Sequence, residues 1–151
     1  MKVNISGKNE KTSRKELLYA TKYFANLLMS SRLNKNVKIW LKCDIKHHCD
    51  GSSIFVDTNH KPREFEIIID AKMSKRKQLI TLAHEMVHVK QHATGELKSL
   101  LMRREERWQG QYIKIDEMHY FDKPWEIEAY GRELGMYQRY MQWKKDNKLK
   151  F

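Results

Sequence analysis

The chain predicts an α+β fold, and three observations carry that expectation. Apolar residues recur at helical spacing in three segments, roughly residues 14–32, 74–93 and 124–145. Between the first two, residues alternate apolar and polar in short runs bounded by turn signals, which is the pattern of half-buried strands. No repeat, linker or low-complexity block interrupts the chain, so residues 1–151 read as one domain.

Taken in order, residues 1–12 are polar, carry Gly7 and are expected to be ragged. Ser13 with Glu16 three residues on is a capping-box pattern, and Leu17, Ala20, Phe24, Leu27 and Leu28 then mark an amphipathic helix. Val37, Ile39 and Leu41 alternate with Lys38, Trp40 and Lys42 as a first strand. Asp50-Gly51 is a turn pair ahead of a second short strand at about 53–57, and Phe65, Ile67 and Ile69 mark a third. Ser74 can cap the central helix, whose stripe is Leu79, Ala83, Met86 and Val87 and whose stop is Gly95. A short helix is expected near 97–104 and an extended piece near 111–115. Asp122 and Pro124 then signal the last helix.

A hydrophobic share of 40% over 151 residues closes one modest core. The net charge of +11 favours acidic partners, nucleic acid among them, and says nothing of fold. No stretch approaches the ~20 apolar residues of a membrane span, and no apolar run follows the N-terminal charges. Only Cys43 and Cys49 are present, which excludes a disulfide framework and suits a reducing compartment, so a cytoplasmic protein is expected.

Chemistry concentrates at His84-Glu85-Met86-Val87-His88. Two imidazoles four residues apart project from one helix face and reach one ion. Zinc suits imidazole nitrogen, and a catalytic zinc takes three protein ligands and a water. Glu85 is offset from both histidines, so its carboxylate can take a proton from that water without ligating the metal. Seven His and twelve Glu placed at random produce this pattern with a frequency of roughly 2–3%. The neighbouring helix and strand signals raise its weight.

The segment at 84–88, followed by Glu126-Ile127-Glu128-Ala129, resembles the HExxH…ExxA pattern of gluzincin-type zinc metallopeptidases, in the minimal form of small bacterial and phage-encoded zincin-like peptidases. The resemblance covers about residues 64–135. It implies an N-terminal helix, a small three-stranded sheet, an HExxH helix and a C-terminal ligand-bearing helix, with zinc as cofactor and a protein or peptide as substrate. It makes His84 and His88 zinc ligands, Glu85 the general base, and Glu126, three residues before Ala129, the third ligand. Larger families often continue this motif with an Asp or Asn that braces the histidine helix. Tyr130 stands there in this chain, so the group that orients an imidazole must come from elsewhere.

The residues themselves leave a rival open. Glu128 shares a helix face with Gly131 and Gly135, which would let two helix backbones approach closely there. Glu126 is preferred, with Glu128 second and His92 or His119 behind both; His92 reads as a solvated helix-end residue. His119, Tyr120 and Tyr130 are candidates by position for an oxyanion donor. The run 43–49, with two cysteines and two histidines, matches no common zinc module and reads as a strand-end loop. Basic clusters at 72–77, 103–107 and 139–150, the last interleaved with Tyr140 and Trp143, could contact nucleic acid.

Two functions follow as expectations. The first is a peptidase whose extended substrate lies beside the strand near 65–70. The second is a basic nucleic-acid-associated protein on the same scaffold with little or no turnover.

Overall fold

A computed structural model describes residues 1–44, 50–57, 59–100, 105–114 and 118–151. The run 45–49, which holds most of the cysteine and histidine cluster, therefore lies outside the described residues. The fold is mixed α+β, with four α-helices and two small sheets among the described residues.

The chain starts on a strand. Residues Lys2–Gly7 form β1, where a ragged start was expected, because they pair in parallel with β2 (Lys38–Asp44) from Lys2 opposite Lys38 to Gly7 opposite Cys43. Next come α1 (Arg14–Leu28), α2 (Ser31–Asn36), β3 (Gly51–Phe55) and β4 (Glu64–Asp70). The first sheet has four strands, not three, in the order β1-β2-β4-β3, with β3 antiparallel at the edge. Asp50-Gly51 thus leads into β3 and does not close a hairpin against β2, since β4 lies between them. The strand at 65–70 is interior, so the exposed edge on that side belongs to β3.

Register explains why β2 and β4 are legible. Ile39, Leu41 and Cys43 pair with Phe65, Ile67 and Ile69, and all six are buried on one face. Their neighbours Lys38, Trp40 and Lys42 are exposed, so one face meets the helices and the other meets water.

The Ser13 hydroxyl accepts from the Glu16 amide as the capping box predicts. The first helix nevertheless stops at Leu28, because Ser30 caps a separate helix through the Leu33 amide. The central helix α3 (Lys75–Thr94) is capped by Ser74 and ends on Gly95 in the left-handed region at φ 81°. A three-stranded antiparallel sheet follows, of β5 (Leu97–Leu100), β6 (Glu105–Trp108) and β7 (Gln111–Lys114). Its first strand replaces the short helix expected there. After a 3-10 turn at Tyr120–Asp122, α4 (Pro124–Asp146) opens with proline in its first turn. Gly131 and Gly135 meet nothing within 4 Å of an added Cβ, so they do not serve a close helix crossing.

One apolar cluster unites Leu17 and Phe24 of α1, the inner faces of β2 and β4, Leu82 and Met86 of α3, and Ala129 and Tyr140 of α4. Helix α3 packs against the sheet and against α4. Within this core the Glu16 side chain is fully buried and ion-paired with Lys75 and, at 2.6 Å, with Lys144. Removing a buried partner strands the remaining charge. We expect Glu16→Ala to lower stability by roughly 2–4 kcal/mol, discounted from the usual range because Lys75 is partly exposed; an unchanged urea midpoint would show the pair to be dispensable. No helix among the described residues is long and apolar enough to cross a membrane.

Candidate metal centre

Helical periodicity brings His84 and His88 to one face of α3, and the packing of α4 supplies the third donor. His84 Nε2 and His88 Nε2 lie 3.1 Å apart, and Glu126 Oε2 lies 3.4 and 3.5 Å from them. These three side chains form a group able to hold a metal ion. His84 and Glu126 are buried, and Glu126 Oε2 has no hydrogen-bond partner of its own.

Each imidazole is oriented through its other nitrogen. His84 Nδ1 stands 2.9 Å from Glu133 Oε2, and His88 Nδ1 stands 2.8 Å from Gln91 Oε1. Donation from both Nδ1 atoms leaves both Nε2 lone pairs for an ion. The brace that Tyr130 cannot provide therefore comes from Glu133, seven residues after Glu126 on the same helix, while the Tyr130 ring packs edge-on to His84 at 4.6 Å. Sequence reasoning does not name Glu133, because nothing local marks a contact made across two helices; Gln91 stands three residues after His88 on α3, a spacing that could have pointed to it.

Glu128 is occupied elsewhere. It accepts from Lys90 Nζ at 3.0 Å, Gln91 Nε2 at 3.0 Å and Arg132 Nε at 2.9 Å. It thereby holds the amide that orients His88, one step removed from the donors. His92 is not in the group and is not a solvated helix end: it is half-buried beside the Phe55 ring at 5.3 Å, and burial pushes its pKa down to about 4. His119 caps the 3-10 turn by accepting from Phe121 N.

Charge at the site follows from burial and neighbours. Burial opposes an imidazolium at His84, but the contacts with Glu126 and Glu133 outweigh it and raise the pKa to about 9. Burial likewise works against a charged Glu126, yet contacts with His84, His88 and Tyr120 bring it down to about 2. Glu85 is buried and pushed up by that burial, against the pull of His88 and a hydrogen bond from Ser53. Burial and the hydrogen bond to Glu126 raise Tyr120, keeping its hydroxyl a donor.

Two recesses meet at the histidines. One, of about 380 Å³, is bordered by Asp50, Lys77, Thr81, Tyr130 and Glu133. The other, of about 280 Å³, is bordered by Ser52, Ser53, His88, Ser99, Glu106 and Trp125. His84, Glu85, Tyr120 and Gly51 border both, so the cleft runs past the donor group along β3.

Gly51 makes that proximity possible. A Cβ there would fall 2.4 Å from Thr81 Cγ2, 3.2 Å from Glu85 Oε1 and 3.3 Å from the Ile68 carbonyl oxygen. We expect Gly51→Ala to cost about 1–3 kcal/mol by forcing the strand away from α3. An unaltered denaturation midpoint would show that β3 shifts freely.

No protein-family model matches the chain, and comparisons with curated proteins and with solved structures give no match either.

Proposed function

We propose that the protein is a small zinc-dependent peptidase of zincin-like architecture. The convergence of His84, His88 and Glu126 beside the Glu85 carboxylate carries that reading. Donor spacing is compatible with zinc. Ligands set tetrahedrally at bonds of about 2.0–2.1 Å stand about 3.3 Å from one another, and the three donor pairs measure 3.1, 3.4 and 3.5 Å. The buried Glu126 Oε2 without a hydrogen-bond partner fits as well, since a cation satisfies such an oxygen. A zinc ion held there supplies Lewis acidity, acidifying water and polarising a carbonyl.

The chain's own residues do the rest. Glu85, buried and steadied by Ser53, accepts the proton of the attacking water and delivers it to the leaving amine. The Tyr120 hydroxyl, which faces both recesses, would turn its one proton from Glu126 to the oxyanion that forms at the carbonyl. Glu133 and Gln91 keep the two imidazoles in register. An extended peptide adds along β3, the edge strand nearest Glu85, and so presents its carbonyls to the cleft.

Metal analysis of the purified chain, paired with cleavage of a randomised fluorescence-quenched peptide pool, tests the reading. About one zinc per chain and cleavage abolished by a chelator are the expected results. Cleavage indifferent to chelator would remove it.

A second reading, a nucleic-acid-associated protein with little turnover, draws on the net charge of +11. The fold uses part of that basic surface itself: Lys144 binds Glu16, and Trp143 packs on Tyr23 with centroids 5.1 Å apart. Salt-sensitive gel shifts with DNA or RNA, without peptide cleavage, would favour this reading.

A further inference from the structure

Glu106 borders the cleft but has no part in the chemistry above. Its placement follows from register. Leu97 pairs with Trp108, Ser99 with Glu106, and Glu106 in turn with Ile113. Alternation therefore puts Leu97, Ser99, Glu106, Trp108 and Ile113 on one face of the small sheet, and Lys98, Arg107 and Tyr112 on the other. The first face looks inward: Leu97 is buried, and Trp108 packs against Trp125 of α4 with ring centroids 6.2 Å apart. Arg107 on the outer face lies over the Tyr112 ring. Glu106 is thus the charged residue of the inward face.

One oxygen of its carboxylate is satisfied and one is not. Oε1 accepts from Ser99 Oγ at 2.9 Å, whereas Oε2 is buried without a hydrogen-bond partner. Among the described residues no ion pair reaches Glu106. Native structures rarely leave a buried carboxylate oxygen without a donor unless something else supplies one. Lys123 lies over the Tyr120 and Trp125 rings, 5.7 and 5.9 Å from their centroids, and its charge favours an ionised Glu106 against the burial that pushes the carboxyl up, without forming an ion pair with it.

We propose that Glu106, backed by Ser99 and the Trp125 ring, forms a subsite for a cationic group of the substrate: a lysine or arginine side chain, or a free α-ammonium. The subsite rests on the peptidase reading, because it shares its cleft with the donor group and Glu85. It selects peptides with N–H donors that reach Oε2.

The test uses the full-length, zinc-loaded chain and quenched peptide pools that differ only in one Lys, Arg, norleucine or Glu beside a randomised core. One set is acetylated and the other has a free amino terminus. Cationic pools should be cleaved about ten- to a hundredfold more efficiently than the norleucine pool, and Glu106→Gln should bring that ratio close to one. A preference confined to unblocked peptides assigns the α-ammonium; one that persists after acetylation assigns the side chain.

Binding of the same pools to Glu85→Gln, read by fluorescence anisotropy, separates the two claims. Cation-selective binding that Glu106→Gln abolishes, with no cleavage by the parent, keeps the subsite and removes the peptidase. Cleavage without cation preference does the reverse. A Glu106→Gln protein that melts earlier yet keeps the parent's selectivity shows a structural role and overturns the proposal. Neither cleavage nor selective binding overturns both.

Discussion

Glu85→Gln is expected to retain zinc at the parent's stoichiometry while losing peptide cleavage by roughly 10²–10⁴-fold, the usual contribution of a positioned general base. The amide is isosteric, and Glu85 is not among the three converging donors, so the metal has no reason to leave. What disappears is a group able to take a proton. The substitution also removes a buried carboxylate next to His84 and His88, so the folded protein should not lose stability. Retained zinc with parent-like cleavage would refute the assignment of Glu85; lost zinc would place Glu85 among the ligands.

The second large effect distinguishes two glutamates two residues apart on one helix, which therefore face different ways. Glu126→Ala should leave the purified protein essentially metal-free after dialysis, because it removes one of three donors. Glu128→Ala should keep its zinc with affinity weakened about 10–100-fold. Its effect passes through Gln91, which loses one of its anchors and holds His88 less firmly. Titration against a zinc-binding dye reads both values, and equal losses in the two variants would undo the division of roles.

How much of this is legible beforehand depends on how local the signal is. The four-residue spacing of His84 and His88 is a property of one helix, and it can be read directly. So can β2 and β4, whose alternation survives because water covers one face. β1 is hidden by its position at an edge, where KVNISG is partly covered along its middle and buries no clean alternate set. The small sheet is harder still: its strands are four residues long, and EERW alternates in direction without alternating in polarity. The orienting partner Glu133 and the inward carboxylate of Glu106 exist only once α3, α4 and the hairpin are packed, whereas Gln91 stands three residues after His88 on one helix. Glu126 over Glu128 is an intermediate case. The motif ranks them, but only the engagement of Glu128 with Lys90 and Arg132 shows what the second carboxylate does.

Both imidazole donors stand on α3, while the third donor and one brace stand on α4. An ion held between them would add a further fastening to two helices already joined by side-chain packing and by the polar contacts of His84, Lys90 and Gln91 with Glu133 and Glu128. Metal supply would then govern the mechanical integrity of the C-terminal helix as well as the chemistry. At free zinc about a thousandfold above its dissociation constant, such a clasp adds about 4 kcal/mol to the folded state. Chelation would loosen α4 before the sheet, and a protease added in trace amount would cut first on the C-terminal side of the 3-10 turn.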